Sequence, residues 1–191
     1  LTSLRRRLSE KEIKQLKIQA PLKMLEEGLK HTQKVFRGVK EFTNLVKEDA
    51  QLDMAPHNLT DALNNYLATT SYIKQVDIDM LPTIEVNEPL FCTAIDNLIR
   101  NGLKYNDSPK KIVRIFMSLE NNKRSICVQD NGRGMSQEEF LYLSKPYIRK
   151  KGQTEGGTGL GLNICIAILK EHGFEVKAEK LSNGTKMCIT I

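Results

Sequence analysis

No stretch of about 18 or more apolar residues occurs in the chain, so nothing in it is expected to span a membrane as a helix. A signal-peptide core is missing too: Arg5-Arg6-Arg7 stands near the N-terminus with no apolar segment behind it. Aromatic residues are scarce, 6% of 191, and no base-stacking module is visible among them. The net charge is +6, but the basic residues are spread along the chain. Their local groups are Arg5-Arg6-Arg7, Lys110-Lys111 and Arg149-Lys150-Lys151. Nucleic acid is therefore not an expected partner; an anionic small ligand explains one cluster and solvated helix faces explain the others. The four cysteines, Cys92, Cys127, Cys165 and Cys188, include no Cys-x-x-Cys pair and sit among apolar neighbours. They read as small buried hydrophobes in a reducing cytosol, not as a metal site or disulfides. What is present is a globular composition, 40% hydrophobic, in a length that suits one domain with a core plus an appendage.

The appendage is residues 1–50. They hold one proline, Pro21, and no alternation of the strand type. Leu4, Leu8, Ile13, Leu16 and Ile18 suggest one helix, and Leu22, Leu25, Leu29, Val35, Phe36, Val39, Phe42 and Val46 a second at three-to-four spacing. A break near Gln19-Ala20-Pro21 fits a turn between them. So long a stripe needs a partner, and a helical hairpin that dimerises into a bundle would supply one.

Residues 51–191 mix element types. Asn58-Leu59-Thr60 reads as a helix start leading into 61–72, followed by a short strand near 75–79. Val86 to Lys104 reads as one helix. Runs 111–119 and 124–130 are β-rich and meet at Glu120-Asn121-Asn122, a hairpin signal. Ser136 with Glu139 three residues on is a capping box opening a helix over 136–142. Residues 143–158 hold glycines, a proline and basic residues without a core pattern, as a mobile loop would. Leu160 to His172 reads as a helix closed by Gly173. Residues 174–180 and 185–191 form a second hairpin through Ser182-Asn183-Gly184. The order of elements predicts an α+β fold, a two-layer α/β sandwich in which a mixed sheet carries helices on one face.

Three motifs in that unit come in a fixed order. They are Asn97-Leu98-Ile99-Arg100-Asn101-Gly102-Leu103-Lys104-Tyr105, Asp130-Asn131-Gly132-Arg133-Gly134-Met135, and Gly156-Gly157-Thr158-Gly159-Leu160-Gly161-Leu162. Each alone has an ordinary explanation: a solvated helix face, an Asp-Asn-Gly turn, a flexible glycine run. The third is no Walker A loop, since no Lys-Ser/Thr follows its last glycine, and no Rossmann turn, since a loop precedes it. Together they resemble the N, G1 and G2 boxes of the ATP-binding domain of sensor histidine kinases. The resemblance covers residues 56–191 well and residues 1–50 more loosely.

The resemblance implies a Bergerat-type ATP-binding fold at 51–191, preceded by a helical hairpin at 1–50, part of a dimerisation and phosphotransfer unit. It implies ATP and Mg²⁺ as cofactors. Asn101 would be the Mg²⁺ ligand, since a carboxamide gives a hard cation an oxygen without adding charge, and Asn97 would support metal or phosphate. Lys104 would reach a phosphate and Tyr105 would lie against the adenine. Asp130 would accept a hydrogen bond from the adenine amine, with Gly132 and Gly134 letting the backbone approach the base. Thr158, Gly159, Leu160 and Gly161 would cradle phosphates at a helix start. Phe140 and Leu141-Tyr142-Leu143-Ser144-Lys145-Pro146-Tyr147 stand in the place of the family's F box in a changed form. Arg149, Lys150 and Lys151 would meet γ-phosphate charge, and Gly184-Thr185 resembles the G3 element, with Thr185 supporting Asp130. Asn97, Lys104 and Arg149 would serve phosphoryl transfer. Gly102 departs from the usual alanine.

Gyrase, Hsp90 and mismatch-repair relatives of this fold carry a Glu at the position of Asn97, and Asn is no base for water. The resemblance thus implies a kinase that passes γ-phosphate to a histidine, for relay to a response-regulator receiver domain, from a homodimeric parent in the cytoplasm or on the cytoplasmic side of a membrane-bound sensor. Readings kept beside it are an ATP-binding pseudokinase and an anti-sigma-factor-like serine kinase. The family's H box is absent. The chain opens Leu1-Thr2-Ser3-Leu4, similar to the residues just after that box's proline, so the phosphoacceptor is expected upstream. His31 lacks the following acid and proline, and His57 and His172 suggest no role.

Overall fold

The computed structural model describes residues 52–68, 70–120, 122–145, 148 and 161–191, together with Ile13, Gln15, 18–22, Gly28 and Leu29. The chain divides into two compact units, Leu1–Ala50 and Gln51–Ile191. In the first, Ile13, Gln15, 19–22, Gly28 and Leu29 are helical and Ile18 is not. The interruption thus falls just before the expected break at Gln19-Ala20-Pro21. Pro21 lies in the first turn after it, where a missing N–H leaves no bond unmade, and Leu22 N–H bonds Ile18 O at 3.0 Å. The rest of the expected hairpin stripe lies outside the described residues.

The second unit runs β1 (Ala55–Asn58), α1 (Leu59–Leu67), a 3₁₀ turn (Ile73–Gln75), β2 (Val76–Ile78), β3 (Thr83–Val86), α2 (Glu88–Lys104), β4 (Val113–Glu120), β5 (Lys123–Asp130), α3 (Gln137–Leu143), α4 (Gly161–Glu171), β6 (Glu175–Lys180) and β7 (Thr185–Thr190). The five-stranded sheet has the order β2-β4-β5-β7-β6. β2 is parallel to β4, and the other neighbours are antiparallel. Val113, Ile115, Ile126, Val128, Met187 and Ile189 are buried on one face of it, as the two-residue period of a half-covered sheet requires. Against that face α2 buries Phe91, Ile95 and Ile99 and α4 buries Ile168 and Leu169. The expected α+β sandwich with helices on one face is the observed architecture.

Local chemistry explains the element ends. Asn58 Oδ1 accepts from Thr60 N–H at 3.0 Å and Asp61 N–H at 3.3 Å, capping α1. That helix stops at Leu67 instead of running to 72. Thr70 turns back with both its N–H and its hydroxyl on Leu67 O, each at 2.8 Å, so the side chain competes for the carbonyl a further helical turn would use. Tyr72 is drawn away to donate to the buried Asp96 of α2, with Arg100 over its ring. Burial, then the Asp96 charge, push the Tyr72 phenol well above its usual range. Val86 belongs to β3, not to the helix: Asn87 caps α2, taking Leu90 N–H at 3.3 Å. β1 and β3 form a separate two-stranded sheet, unexpected from the sequence, in which Pro56 faces Glu85. A proline fits there because each strand of a pair is an edge. The capping box of Ser136 and Glu139 is present. α4 is described from Gly161 and ends at Glu171, before His172, with Gly173 at φ 79° closing it.

His172 has a structural task that its place in the sequence concealed. It is buried, its Nδ1 donates to Ile168 O at 2.8 Å, and its Nε2 accepts Asn87 N–H at 3.1 Å. Its ring stacks on Phe174 at 5.8 Å and meets Phe91 edge-on. The end of α4 is thereby pinned to the cap of α2. Substitution His172→Ala is expected to lower stability by about 2–4 kcal/mol, the sum of a lost buried ring and an orphaned N–H. Urea unfolding measures it; a cost under about 0.5 kcal/mol, the surface-substitution level, would contradict the pinning role.

Candidate functional site

The site is built where α2, the ends of β5 and β7 and the start of α4 meet. Asn97, Asn101 and Lys104 share one side of α2 by their four- and three-residue spacing. A Cβ on Gly161 would stand 3.5 Å from Asn97 Oδ1, so the start of α4 approaches α2 at that asparagine. Two of the three sequence boxes are joined there. The remainder of the glycine run, Gly156, Gly157, Thr158, Gly159 and Leu160, lies outside the described residues, as do Pro146, Tyr147, Arg149, Lys150 and Lys151.

Asp130 ends β5 on the helix-covered face, in register with Val113. Its Oδ1 accepts Gly132 N–H at 2.7 Å and Thr185 N–H at 3.3 Å. Burial raises its carboxyl above the ordinary range, and the hydrogen bonds from Gly132 and Thr185 oppose that rise. The backbone closes around this carboxylate. A Cβ on Gly132 would stand 2.8 Å from Tyr105 O and 3.0 Å from Asp130 Oδ1. Gly134 has φ 77° and Gly184 φ 107°, and a Cβ on Gly184 would lie 1.8 Å from Asp130 O. Gly102, the departure from the usual alanine, also finds a reason: a methyl there would sit 2.8 Å from Asp130 Cβ. Thr185, buried at the start of β7, completes the wall.

Tyr105 follows α2, and its ring carries the Lys104 ammonium at 4.7 Å, with Lys104 Nζ donating to the Tyr105 hydroxyl at 3.0 Å. The sequence reading missed what holds this corner. Asn131 Oδ1 accepts from Asn106 Nδ2 at 2.8 Å and from Ile112 N–H at 3.0 Å, while its Nδ2 donates to Lys110 O at 2.8 Å. Asn106, buried, accepts Ser108 N–H at 2.9 Å. Arg133 forks onto Asp107, lowering that carboxyl. The signal available was Asn106-Asp107-Ser108 itself, an Asx-turn pattern just past a helix end. Behind the corner, Phe140 is buried and Leu141 and Tyr142 are exposed. Asn163 of α4 donates to Ser144 O at 3.0 Å.

Chemically the corner offers one buried carboxylate, held by Gly132 and Thr185, neutral carboxamide oxygens along α2, a lysine, and a glycine-opened helix start. No group of three or more His, Cys, Asp or Glu side chains that could hold a metal occurs among the described residues. Among the described residues no helix is long and apolar enough to cross a membrane.

Comparison with known proteins gives a family and a fold. The family described as "Histidine kinase-, DNA gyrase B-, and HSP90-like ATPase" matches residues 86–191, more than half of the chain. Sporulation kinase C of Bacillus subtilis (strain 168) is 43% identical over 84 residues, 44% of this chain and 18% of that protein. Sensor protein QseC of Escherichia coli O157:H7 is 27% identical over 172 residues, 85% of this chain and 37% of its own length. The chain thus spans well under half the length of these curated relatives. The Acinetobacter baumannii histidine kinase AdeS superposes with a TM-score of 0.64 at 14% identity, covering 91% of this chain and 84% of that one, which supports the fold.

Proposed function

The chain belongs to the histidine kinase-, DNA gyrase B- and HSP90-like ATPase family, and on that premise we propose that residues 51–191 bind Mg-ATP and deliver its γ-phosphate to a histidine of a two-component sensor kinase. The observation that carries this reading is the meeting of Asn97 with Gly161 beside a buried, backbone-bonded Asp130. It gives an adenine acceptor and a phosphate-facing helix start with no base at Asn97 to activate water.

In this reading Asp130 takes the adenine amine on its second oxygen, and Gly132, Gly134 and Thr185 shape the base pocket. Asn101 would ligate Mg²⁺, and Asn97 would support metal or phosphate. When bound, Mg²⁺ would neutralise phosphate charge. Lys104 holds a phosphate, leaving the Tyr105 hydroxyl to do so, and Tyr105 lies along the base. Thr158, Gly159, Leu160 and Gly161 form the phosphate cradle, and Arg149 and Lys150 close on the γ-phosphate. Residues 1–50 contribute to a dimerisation and phosphotransfer unit, so the parent is a homodimer. A response-regulator receiver domain takes the phosphoryl group onward, nucleic acid plays no part, and a cytosolic phosphate donor places the domain in the cytoplasm.

Calorimetry with a non-hydrolysable ATP analogue is expected to show Mg²⁺-dependent binding; none at millimolar nucleotide would sink the reading. The 191 residues contain no His-Glu/Asp-x-x-x-Pro-Leu box, so with γ-labelled ATP they are expected to bind without labelling themselves. An acid-labile, base-stable label that disappears in His31→Gln would show that the acceptor had been misassigned. Rapid turnover of ATP would move the chain toward the ATPase branch of the family.

A further inference from the structure

The helix-free face of the sheet carries a second feature, a pair of cysteines. β5 and β7 pair antiparallel with Cys127 directly opposite Cys188, and their Sγ atoms lie 3.3 Å apart. The cysteines are 61 residues apart in sequence, so only the strand register brings them together. We propose that Cys127 and Cys188 form a two-electron redox site, closed to a cross-strand disulfide by hydrogen peroxide or a similar small peroxide.

The geometry permits it. Opposed residues on antiparallel strands have Cα atoms about 4.5 or 5.5 Å apart, and both spacings fall within the roughly 4.4–6.8 Å that a disulfide tolerates. The sulfurs need to close by a little over an ångström, to about 2.05 Å, which small side-chain rotations supply. The other two cysteines, Cys92 and Cys165, lie on α2 and α4 and are buried.

The two thiols are not equivalent. Cys127 is fully buried, whereas Cys188 is partly exposed. Lys177 of β6 stands opposite Cys188 in register. Lys186, two residues earlier on β7, points from the same face and is held by Glu179 at 2.6 Å and Glu120 at 3.3 Å. The hydrogen bond from Cys127 pulls the Cys188 thiol below its ordinary range and Lys186 adds to this, against the effect of burial. That same bond, then burial, push Cys127 up. Cys188 is therefore the thiolate that a peroxide meets.

The chemistry balances without a further reagent. The Cys188 sulfur attacks one peroxide oxygen; the O–O bond breaks, the sulfur becomes a sulfenic acid, and the departing oxygen leaves as water after taking a proton. The Cys127 sulfur then attacks the sulfenic sulfur. The S–S bond forms, the S–O bond breaks, and hydroxide leaves as a second water with the Cys127 proton. Two thiols are oxidised by two electrons and one peroxide is reduced to two waters. The link fastens β5 to β7 three residues from Asp130 and three from Thr185, so the redox state of the sheet face is tied to the two strand ends that meet at the candidate site.

The test uses the whole chain, treated with a small excess of peroxide, denatured and alkylated. The expected result is a mass lower by two hydrogens before alkylation, loss of two of the four alkylatable thiols, and a tryptic species joining Ser125–Arg133 to Met187–Ile191. Dithiothreitol should restore all of it. In Cys127→Ser, Cys188 should instead accumulate as a dimedone-trappable sulfenic acid; in Cys188→Ser, Cys127 should stay unoxidised. Four intact thiols in the unsubstituted chain overturn the proposal. So do a Cys188 carrying two added oxygens beside an alkylatable Cys127, and a disulfide that links separate chains. The unsubstituted chain decides the matter even if a variant folds poorly.

Discussion

Substitution Asp130→Asn is expected to lower ATP affinity at least tenfold while leaving the unliganded protein as stable as before, or more so. The two effects have different atoms behind them. Oδ1 is already committed to Gly132 N–H at 2.7 Å and Thr185 N–H at 3.3 Å, and the amide oxygen of Asn can take over both bonds. In the proposed site the other oxygen accepts from the adenine amine. An NH₂ group in its place sets donor against donor, and a mismatched buried partner costs about 1–3 kcal/mol. Stability moves the other way because burial raises this carboxyl in the folded state. The folded protein holds the Asp130 proton more tightly than the unfolded chain does. That contribution to stability is complete below the unfolded carboxyl value, about 4, and is lost as pH rises through the higher folded value. Asn has no charge to bury, so the variant escapes the loss. The expected result is a stability difference that grows in favour of Asp130→Asn between about pH 4 and neutrality, read by urea unfolding at several pH values. Affinity of the unsubstituted protein for the ATP analogue should fall on acidification, once Asp130 takes up its proton. An ATP dissociation constant unchanged in Asp130→Asn would reduce this carboxylate to a turn residue.

Gly184→Ala is expected to be the most damaging single methyl among the described glycines of the second unit. Its φ of 107° is strained for any residue with a side chain, and the added carbon would fall 1.8 Å from Asp130 O and 2.6 Å from Asp130 C. Those atoms are backbone and cannot swing aside, so β7 or the turn after β5 must move. Strain and overpacking each cost about 1–3 kcal/mol, so a loss of roughly 3 kcal/mol or more is expected, together with loss of nucleotide binding. Gly173→Ala is the control. It shares the positive φ, 79°, but a Cβ there meets nothing within 4 Å, so only the left-handed strain of about 1–2 kcal/mol applies. Urea unfolding of the two variants separates the contributions. Equal losses would mean that the contact between Gly184 and Asp130 does not confine the pocket.

Much of this protein was decided by short stretches of sequence acting alone. The capping box of Ser136 and Glu139, the asparagine cap at Asn58, the positive φ of Asn122 and the turn at Ser182-Asn183-Gly184 are local hydrogen-bond and dihedral preferences that need no distant partner. The period of the apolar residues assigned α2, α4 and the strands of the main sheet to their types, because burial of one face is written into the spacing. The described parts of the boxes are legible for a related reason: glycine, asparagine and aspartate at fixed intervals record constraints of backbone approach, as at Gly132 and Gly134 around Asp130. Where the reading failed, a distant group had won. Pro56 and its neighbours form β1 only because β3 lies beside them. α1 stops at Leu67 because Thr70 and the buried Asp96 capture the residues that would have continued it. Asn131 and Asn106 are ordinary polar residues until the loop after α2 folds against the end of β5 and their amides join. His172 gains its task from Asn87 across the helix layer. Cys127 and Cys188, read singly as buried hydrophobes, become a pair only through the register of β5 with β7. Local preference is encoded within a few residues, whereas a contact between distant groups exists only once the core has set strand register and helix placement.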